Sequence, residues 1–493
     1  MEKIRLLPKY LFPRFQDILF LSLLAVVILY GPRLFHEDGD LGRHLTIGRY
    51  ILESGGIPLR DIFSHTMTGA ALVPHEWLAE VLFALAYQVL GLDGVVLLTA
   101  VVIASTFLLA YRETVRGGAS RLVGLLAVLL AAAASSLHWL ARPHIFTFLL
   151  LAIWSYRLER YREGETRGLW FFPVVMAVWA NTHGAFIAGF VVLGIHFAEW
   201  VLDFARRRAS EDEGKRLAGI AVVSLLATLV NPAGWRLWAT SLGYIGNRYL
   251  VSHTVEYLPP DFHHPVTWPF LLLLALGMLA LTLGRPLRLR HAFMLALWAI
   301  MGLYSARNIP LFAILCAPIY GELMQAAAAK RPGLLRLERG LQHIENQLGG
   351  VFWPVIGVIA ALLLFSQHVK LDLTRHGNTF DPHVFPVEAV NWLEAHPPEG
   401  NGFNYFTWGG YLLYRSWPEQ KVFIDGQTDF YGEGLTREYA TIISAEPGWK
   451  NILSKYAVDW AIVPPGEPLA SALEQWGWKN IHEDKTAVVF EKP

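Results

Sequence analysis

Apolar runs of near-membrane length, repeated through most of the first 370 residues, constrain this chain more than any other feature. A helix that crosses a bilayer needs about 20 predominantly apolar residues, and soluble cores do not supply such runs one after another. Only 17% of the 493 residues are charged and 54% are hydrophobic, against roughly 25% charged in an ordinary soluble domain. The expected fold class is therefore a polytopic α-helical membrane protein. Spans are predicted near 18–30, 95–111, 121–140, 143–156, 169–183, 185–203, 217–231, 266–284, 291–305, 308–326 and 351–367, about eleven in all. The stretch Trp77 to Gly91 is short for a span and contains Glu80. Together with the amphipathic piece Leu45 to Leu52, it reads as a helix lying along the interface.

Charge between the spans tests that assignment, because one wrong crossing flips every later loop. Arg112, Arg116 and Arg121, then Arg157, Arg160, Arg162 and Arg167, then Arg206 to Arg208, Lys215 and Arg216, all fall on the side of the N-terminus. Arg285, Arg288, Arg290, Lys330, Arg331, Arg336 and Arg339 continue the pattern. The expectation is an integral protein of the cytoplasmic membrane with a cytoplasmic N-terminus. The histidine-rich and acidic loops then face outward. Net charge is zero, so nothing global points to nucleic acid. The single cysteine, Cys316, lies in an apolar run and forms no intrachain disulfide.

From about residue 370 the apolar helical runs stop. Short strand-like runs at Lys421 to Ile424, Trp460 to Val463 and Ala487 to Phe490 alternate with helix-like stretches at Val387 to Ala395, Leu435 to Ser444 and Leu469 to Gln475. This predicts two parts: a membrane module over 1–369, and an extracytoplasmic α/β domain over 370–493.

Chemistry-bearing residues crowd into the first long polar stretch, residues 36–80. Asp38 and Asp40 flank a glycine and can converge on one cation or one hydroxyl, and His44 follows one helical turn after Asp40. The same acidic pair also reads as an ordinary solvated loop. His75 and Glu76 either help bind an acceptor or cap the interfacial helix, where Glu is favourable at an N-terminus. Arg142, His144, His183 and Arg307 sit at the outer ends of predicted spans. There a charged or imidazole group is a site candidate, with snorkelling or helix capping as the alternative. His253 and Glu256, in the outer loop 232–264, are further candidates for catalysis, metal ligation or loop support.

Several of these pieces together resemble the GT-C superfamily of membrane glycosyltransferases. The resemblance is carried by Asp38-x-Asp40-Leu41-x-x-His44, Gly56-Ile57-Pro58-x-x-Asp61, and His75-Glu76-Trp77-Leu78. It continues in Ala141-Arg142-Pro143-His144, Trp179-Ala180-Asn181-Thr182-His183-Gly184, Asn231-Pro232-x-Gly234-Trp235 and Ala306-Arg307-Asn308-Ile309-Pro310. Trp408-Gly409-Gly410-Tyr411 and Ile424-Asp425-Gly426-x-x-Asp429 extend it into the last domain. Leu41-Gly42-Arg43 departs from the tryptophan-rich step expected in relatives.

The resemblance implies a lineage of protein O-mannosyltransferases, aminoarabinose transferases and oligosaccharyltransferases. Its donor is a sugar on a polyprenyl phosphate; the acceptor is protein, lipid or glycan; membrane lipids are the remaining partners. It maps the base, or the ligand of a divalent cation such as Mg or Mn, onto Asp38 or Asp40. Arg142 and Arg307, with His144 and His183, are then the donor-phosphate group, and His44, His75, Glu76, His253 and Glu256 support acceptor or loop. The expected reaction is an inverting transfer on the outer side. The alternatives are a flippase or transporter of lipid-linked sugar, or an inactive GT-C scaffold in surface-polysaccharide assembly. A transporter predicts charges at mid-depth and repeated halves, and the sequence shows no repeat.

Overall fold

The computed structural model describes residues 11–36, 39–282, 287–350 and 352–493. Asp38, one of the two candidate bases, lies outside these described residues.

Helices occupy the expected apolar runs. They are α1 (Phe15–Leu29), α4 (Leu92–Arg116), α5 (Arg121–Ser135), α6 (His144–Arg162), α7 (Phe171–Thr182), α8 (Ile187–Ala205), α9 (Glu211–Ala227), α12 (Trp268–Thr282), α13 (Leu289–Tyr304), α14 (Ile309–Ala328) and α16 (Trp353–Ser366). Among the described residues, four stretches, Leu92–Arg116, Arg121–His138, Gly184–Ala205 and Ala306–Ala328, are long and apolar enough to cross a membrane. The shorter apolar helices include Phe15–Leu29, Phe171–Thr182 and Trp353–Ser366. Helix α14 runs through the centre, packed on α4, α5, α6 and α13. Pro310 occupies its first turn, where the missing N–H removes a donor that has no helical partner anyway.

The first loop forms two further helices, α2 (Leu41–Ser54) and α3 (Trp77–Leu90), packed on each other. Helix α2 begins four residues before the expected amphipathic piece and buries Arg43, His44 and Thr46 beside Leu41, Leu45 and Ile47. The outer loop expected over 232–264 is also largely helical, with α10 (Arg236–Gly246) and α11 (Arg248–His253). Helix α15 (Pro332–Asn346) lies between α14 and α16. It turns Glu338 toward the hydroxyl of Ser120 and Glu345 toward the backbone N–H of Phe15, at 3.0 Å, so two acids receive donors at the N-termini of α5 and α1.

After α16 the chain forms α17 (Val387–Ala395), α18 (Gly409–Ser416), α19 (Thr428–Ile443), α20 (Trp449–Lys455) and α21 (Pro468–Gln475) around a small sheet. The strands are β1 (Asn401–Asn404), β2 (Val458–Val463), β3 (Lys479–Glu483) and β4 (Val488–Glu491), in order β1-β2-β4-β3. β1 and β2 are parallel; β4 is antiparallel to β2 and β3. The expected strand at Lys421 to Ile424 does not join this sheet. Its backbone groups are taken elsewhere: Asn404 accepts from Phe423 N–H at 2.8 Å and donates to the Ile424 carbonyl at 2.8 Å. On the other side Val422 N–H donates to the Phe63 carbonyl and His65 N–H to the Val422 carbonyl. The first loop thus provides the pairing that a sheet neighbour would have supplied.

Loop and terminal region are locked together by glycine contacts. A Cβ on Gly410 would fall on the carbonyl of Gly39, and one on Gly42 on the carbonyl of Gly410. Helices α2 and α18 approach this closely only because both sides lack a side chain. One continuous apolar core runs from α1 through Leu41 and Leu45 to Trp408, Tyr411 and Val422.

At the other end of the bundle, Arg290 at the start of α13 forks between two acids. It donates to Glu159 of α6 from Nε and Nη2, both at 2.9 Å, and to Glu199 of α8 from Nη1 at 3.0 Å. Arg162 donates to the same Glu199 at 3.0 Å, and His291 stands 3.3 Å from Glu322 of α14.

Candidate active site

Seven segments far apart in sequence deliver polar groups to one end of the bundle, beneath the terminal α/β region. Asp40 immediately precedes α2 without capping it through its side chain, and is buried. Its Oδ1 faces Gly426, where a Cβ would fall inside the carboxylate, so Gly426 is required for the terminal region to close over it. Arg142, just before α6, donates from Nη2 to Asp40 Oδ2 and from Nη1 to Glu256 Oε1. Glu256 sits in a 3-10 turn after α11. Its other oxygen is 3.6 Å from His138 Nε2 and 3.8 Å from Arg307 Nη1. Burial opposes ionisation of Glu256, and Arg142, His138 and Arg307 outweigh it, so its carboxyl is held well below the usual range.

Arg307, in the 3-10 turn before α14, donates to the Tyr257 hydroxyl at 2.9 Å and to His183 Nε2 at 3.2 Å. Its guanidinium lies over the Tyr257 ring, 5.0 Å from the centroid. His183 Nδ1 lies 2.9 Å from the Thr147 hydroxyl and 3.3 Å from the Ala185 backbone N–H. His144 turns inward: its Nε2–H donates to the His138 carbonyl at 2.8 Å, and its ring packs on those of His138 and His183. It supports the site from behind.

A second group surrounds Arg43, which is buried on α2. Arg43 donates to Gln427 at 3.2 Å and to His44 Nε2 at 3.4 Å. It stands 3.5 Å from Glu76, 3.6 Å from Glu80 and 3.8 Å from Asp425. His44 in turn donates from Nδ1 to Glu80 at 3.2 Å. Burial raises the Asp425 carboxyl to about 6 against the pull of Arg43, while Gln427 N–H and the Tyr431 hydroxyl donate to it at 2.8 and 3.0 Å. Burial works against protonation of His75, and Glu76 and Asp429 outweigh it, so its pKa is raised. Glu76 connects the two groups, lying 3.9 Å from both His75 and His183.

The structure thus gathers Asp40, His44, His75, Glu76, Arg142, His183, Glu256 and Arg307, all named from sequence, with His144 behind them. His253 is apart: it is exposed, with its ring stacked on Tyr249 and its Nδ1 on the Tyr249 carbonyl. Arg43, Glu80, Gln427, Asp425, Tyr431 and Tyr257 join the site without having been read as site residues. The motif containing Asp425 was the one sequence signal among them.

Two places bear on a cation. His44, Glu76 and Glu80 bring ligand atoms within 4.8 Å of one another, a donor set of the kind that holds a divalent ion once His44 Nδ1 gives up the proton it shares with Glu80 and Arg43, 3.4 to 3.6 Å from all three, draws aside. Between Asp40 and Glu256 the fit fails as the residues stand, because the Arg142 guanidinium fills the space where both carboxylates point.

No protein-family model and no curated protein matches the chain. Among solved structures it is similar to the oligosaccharyltransferase AglB of Archaeoglobus fulgidus in complex with an inhibitory peptide and a dolichol-phosphate. That likeness has a TM-score of 0.60 at 12% identity, covering 90% of this chain and 69% of the other. The apo form of the same enzyme gives 0.59 at 12% identity over 91% and 69%. The form tethered to an acceptor peptide containing the NVT sequon gives 0.58 at 12% identity over 90% and 69%. At this identity the likeness is one of fold alone.

Proposed function

We propose that the protein is a membrane glycosyltransferase that moves a sugar from a polyprenyl-phosphate-linked donor to an acceptor on the extracytoplasmic side, with inversion. The observation that carries this reading is the convergence of Asp40, Arg142, Glu256, His183 and Arg307 at one end of a GT-C-type helical bundle, under a terminal region that closes over them. The AglB structures hold a dolichol-phosphate and an acceptor peptide, which supports a lipid-linked donor and a peptide acceptor. The arginine-rich ends of α6 and α8 lie opposite the site, next to Arg290, which favours an outward-facing site.

Asp40, with Asp38 beside it in sequence, takes the acceptor proton as the acceptor attacks the anomeric carbon from the face opposite the phosphate. Arg142 fixes one oxygen of Asp40, leaving the carboxylate oriented by the protein rather than by water. Arg307 is 30% exposed in its side chain and presents a fixed positive charge to the departing phosphate. His183 and Tyr257 hold that guanidinium in place. A divalent ion held by His44, Glu76 and Glu80 would supply charge neutralisation near the acceptor path. A lipid tail would lie along the apolar helices that end at the site, and a polar acceptor would pass the half-buried pair His75 and Asp429, 3.8 Å apart.

The test is incubation of the protein in nanodiscs with radiolabelled polyprenyl-phosphate sugars, following label released from the lipid. Release that disappears in Asp40→Asn supports the reading. Tight donor binding with no release from any donor overturns it in favour of a flippase.

A further inference from the structure

The bridge Asp40–Arg142–Glu256 carries a deeper reading of this same site, and its purpose rests on the transfer reaction just proposed. Two carboxylates from distant segments face each other across one guanidinium, each bonded to a different nitrogen. Ligation of a divalent ion by two carboxylates needs oxygens to converge on one point at roughly 2.0–2.6 Å. Here that point is a planar group that cannot lose its charge. The position is built from the backbone up: Ala141 N–H donates to the Leu34 carbonyl at 3.3 Å and Arg142 N–H to the Leu140 carbonyl at 2.9 Å, so the segment before α6 is fastened beside the first loop. The free side of Glu256 already has His138 at 3.6 Å and Arg307 at 3.8 Å. A doubly charged ion entering there would meet the positive charge of Arg307 as well as that of Arg142.

We propose that Arg142 stands in the place of a divalent cation between Asp40 and Glu256. It aligns the two carboxylates as a metal would, and its loss turns the pair, with His138, into a site for a divalent transition-metal ion. Two carboxylates and an imidazole are a donor set that suits such an ion. Arg142 is then a positioning residue: it acts on the reaction through Asp40 and Glu256. The group His44, Glu76 and Glu80 is separate, on the far side of Glu76 and around Arg43.

The experiment is titration of Mn2+ into the full-length protein in nanodiscs, read by loss of the free-ion electron paramagnetic resonance signal. It compares wild type, Arg142→Ala, Arg142→Lys, Arg142→Ala with Glu256→Gln, and the single variants Glu256→Gln and Glu80→Gln. Arg142→Ala is expected to gain a site at least about tenfold tighter than any in wild type, in the range by which single groups tune metal affinity. Glu256→Gln on that background is expected to abolish it, and Arg142→Lys, which keeps the charge, to gain none. Wild-type Mn2+ binding that is lost in Glu80→Gln and kept in Glu256→Gln also supports the proposal, since the ion then avoids the bridged pair. Wild-type binding lost in Glu256→Gln overturns it, as does a folded Arg142→Ala that gains no site. If Arg142→Ala does not fold, Arg142→Gln takes its place. The gain of metal is read without turnover, so a protein that gains it yet releases no sugar keeps this inference and loses the transfer reading.

Discussion

The two ends of the bundle each hold a buried cluster of arginines, acids and histidines, and they are built on opposite plans. At one end Arg290 uses three nitrogens on two glutamates, and both oxygens of Glu159 are taken. The side chains of Arg290 and Glu199 are 8% and 5% exposed. At the other end Arg142 is splayed between carboxylates of different segments, and Arg142 and Glu256 are 23% and 22% exposed. Saturated, closed ion pairs hold helices together; half-exposed, shared ones leave surface for a ligand. The difference distinguishes these two bridges although both contain the same types of side chain; the Arg43 group beside the open bridge is as buried as the closed cluster, with Arg43, Glu80 and Asp425 5%, 3% and 4% exposed.

The largest effect tests the closed cluster. Arg290→Ala leaves Glu159 and Glu199 facing each other without their shared cation, and is expected to cost about 3–5 kcal/mol of stability, seen as loss of folded protein in thermal or SDS unfolding. Arg142→Ala is expected to stay folded, because Glu256 keeps Arg307 and His138. Equal destabilisation of the two variants would erase the distinction. Next, Asp40→Asn is expected to lower transfer by at least about 10²-fold with an unchanged unfolding curve; near-normal turnover would remove Asp40 as the base. Arg307→Ala is expected to weaken donor binding by about tenfold or more, the value of a lost charge-assisted contact, measured by equilibrium binding of labelled donor.

A smaller effect is expected from pH at the open end. Asp425 has a folded pKa of about 6 against 3.8 in the free residue. Over that window the folded state keeps a proton that the unfolded chain has lost, so stability falls as pH rises from about 3.8 to about 6 and is flat above. Asp425→Asn is expected to flatten that part of the stability profile, and a profile identical to wild type would show that burial does not control this carboxyl.

Much of this was legible in the sequence. Apolar runs located the long helices because length and composition alone make a span. The residues at the ends of the apolar runs were found because charges beside such runs are costly unless they are used. Arg43 was not legible: it reads as a departure within a helix, and what buries it are Gln427 and Asp425, some 380 positions later. Glu80 reads as a polar interruption of a short apolar run until His44 is seen beside it. β1 is Asn-Gly-Phe-Asn, which has the signature of a turn, and β3 is a polar edge strand without alternation. Lys421 to Ile424 has the right composition for a strand, but its pairing was decided by Asn404 and by the first loop.

The glycine lock between α2 and α18 also has a meaning in time. Asp40 emerges from the ribosome hundreds of residues before Gly410 and Gly426, the positions against which it is finally seated. Throughout synthesis the first loop therefore lacks its final neighbours, and Asp40 acquires its closed surroundings only when the last quarter of the chain has folded.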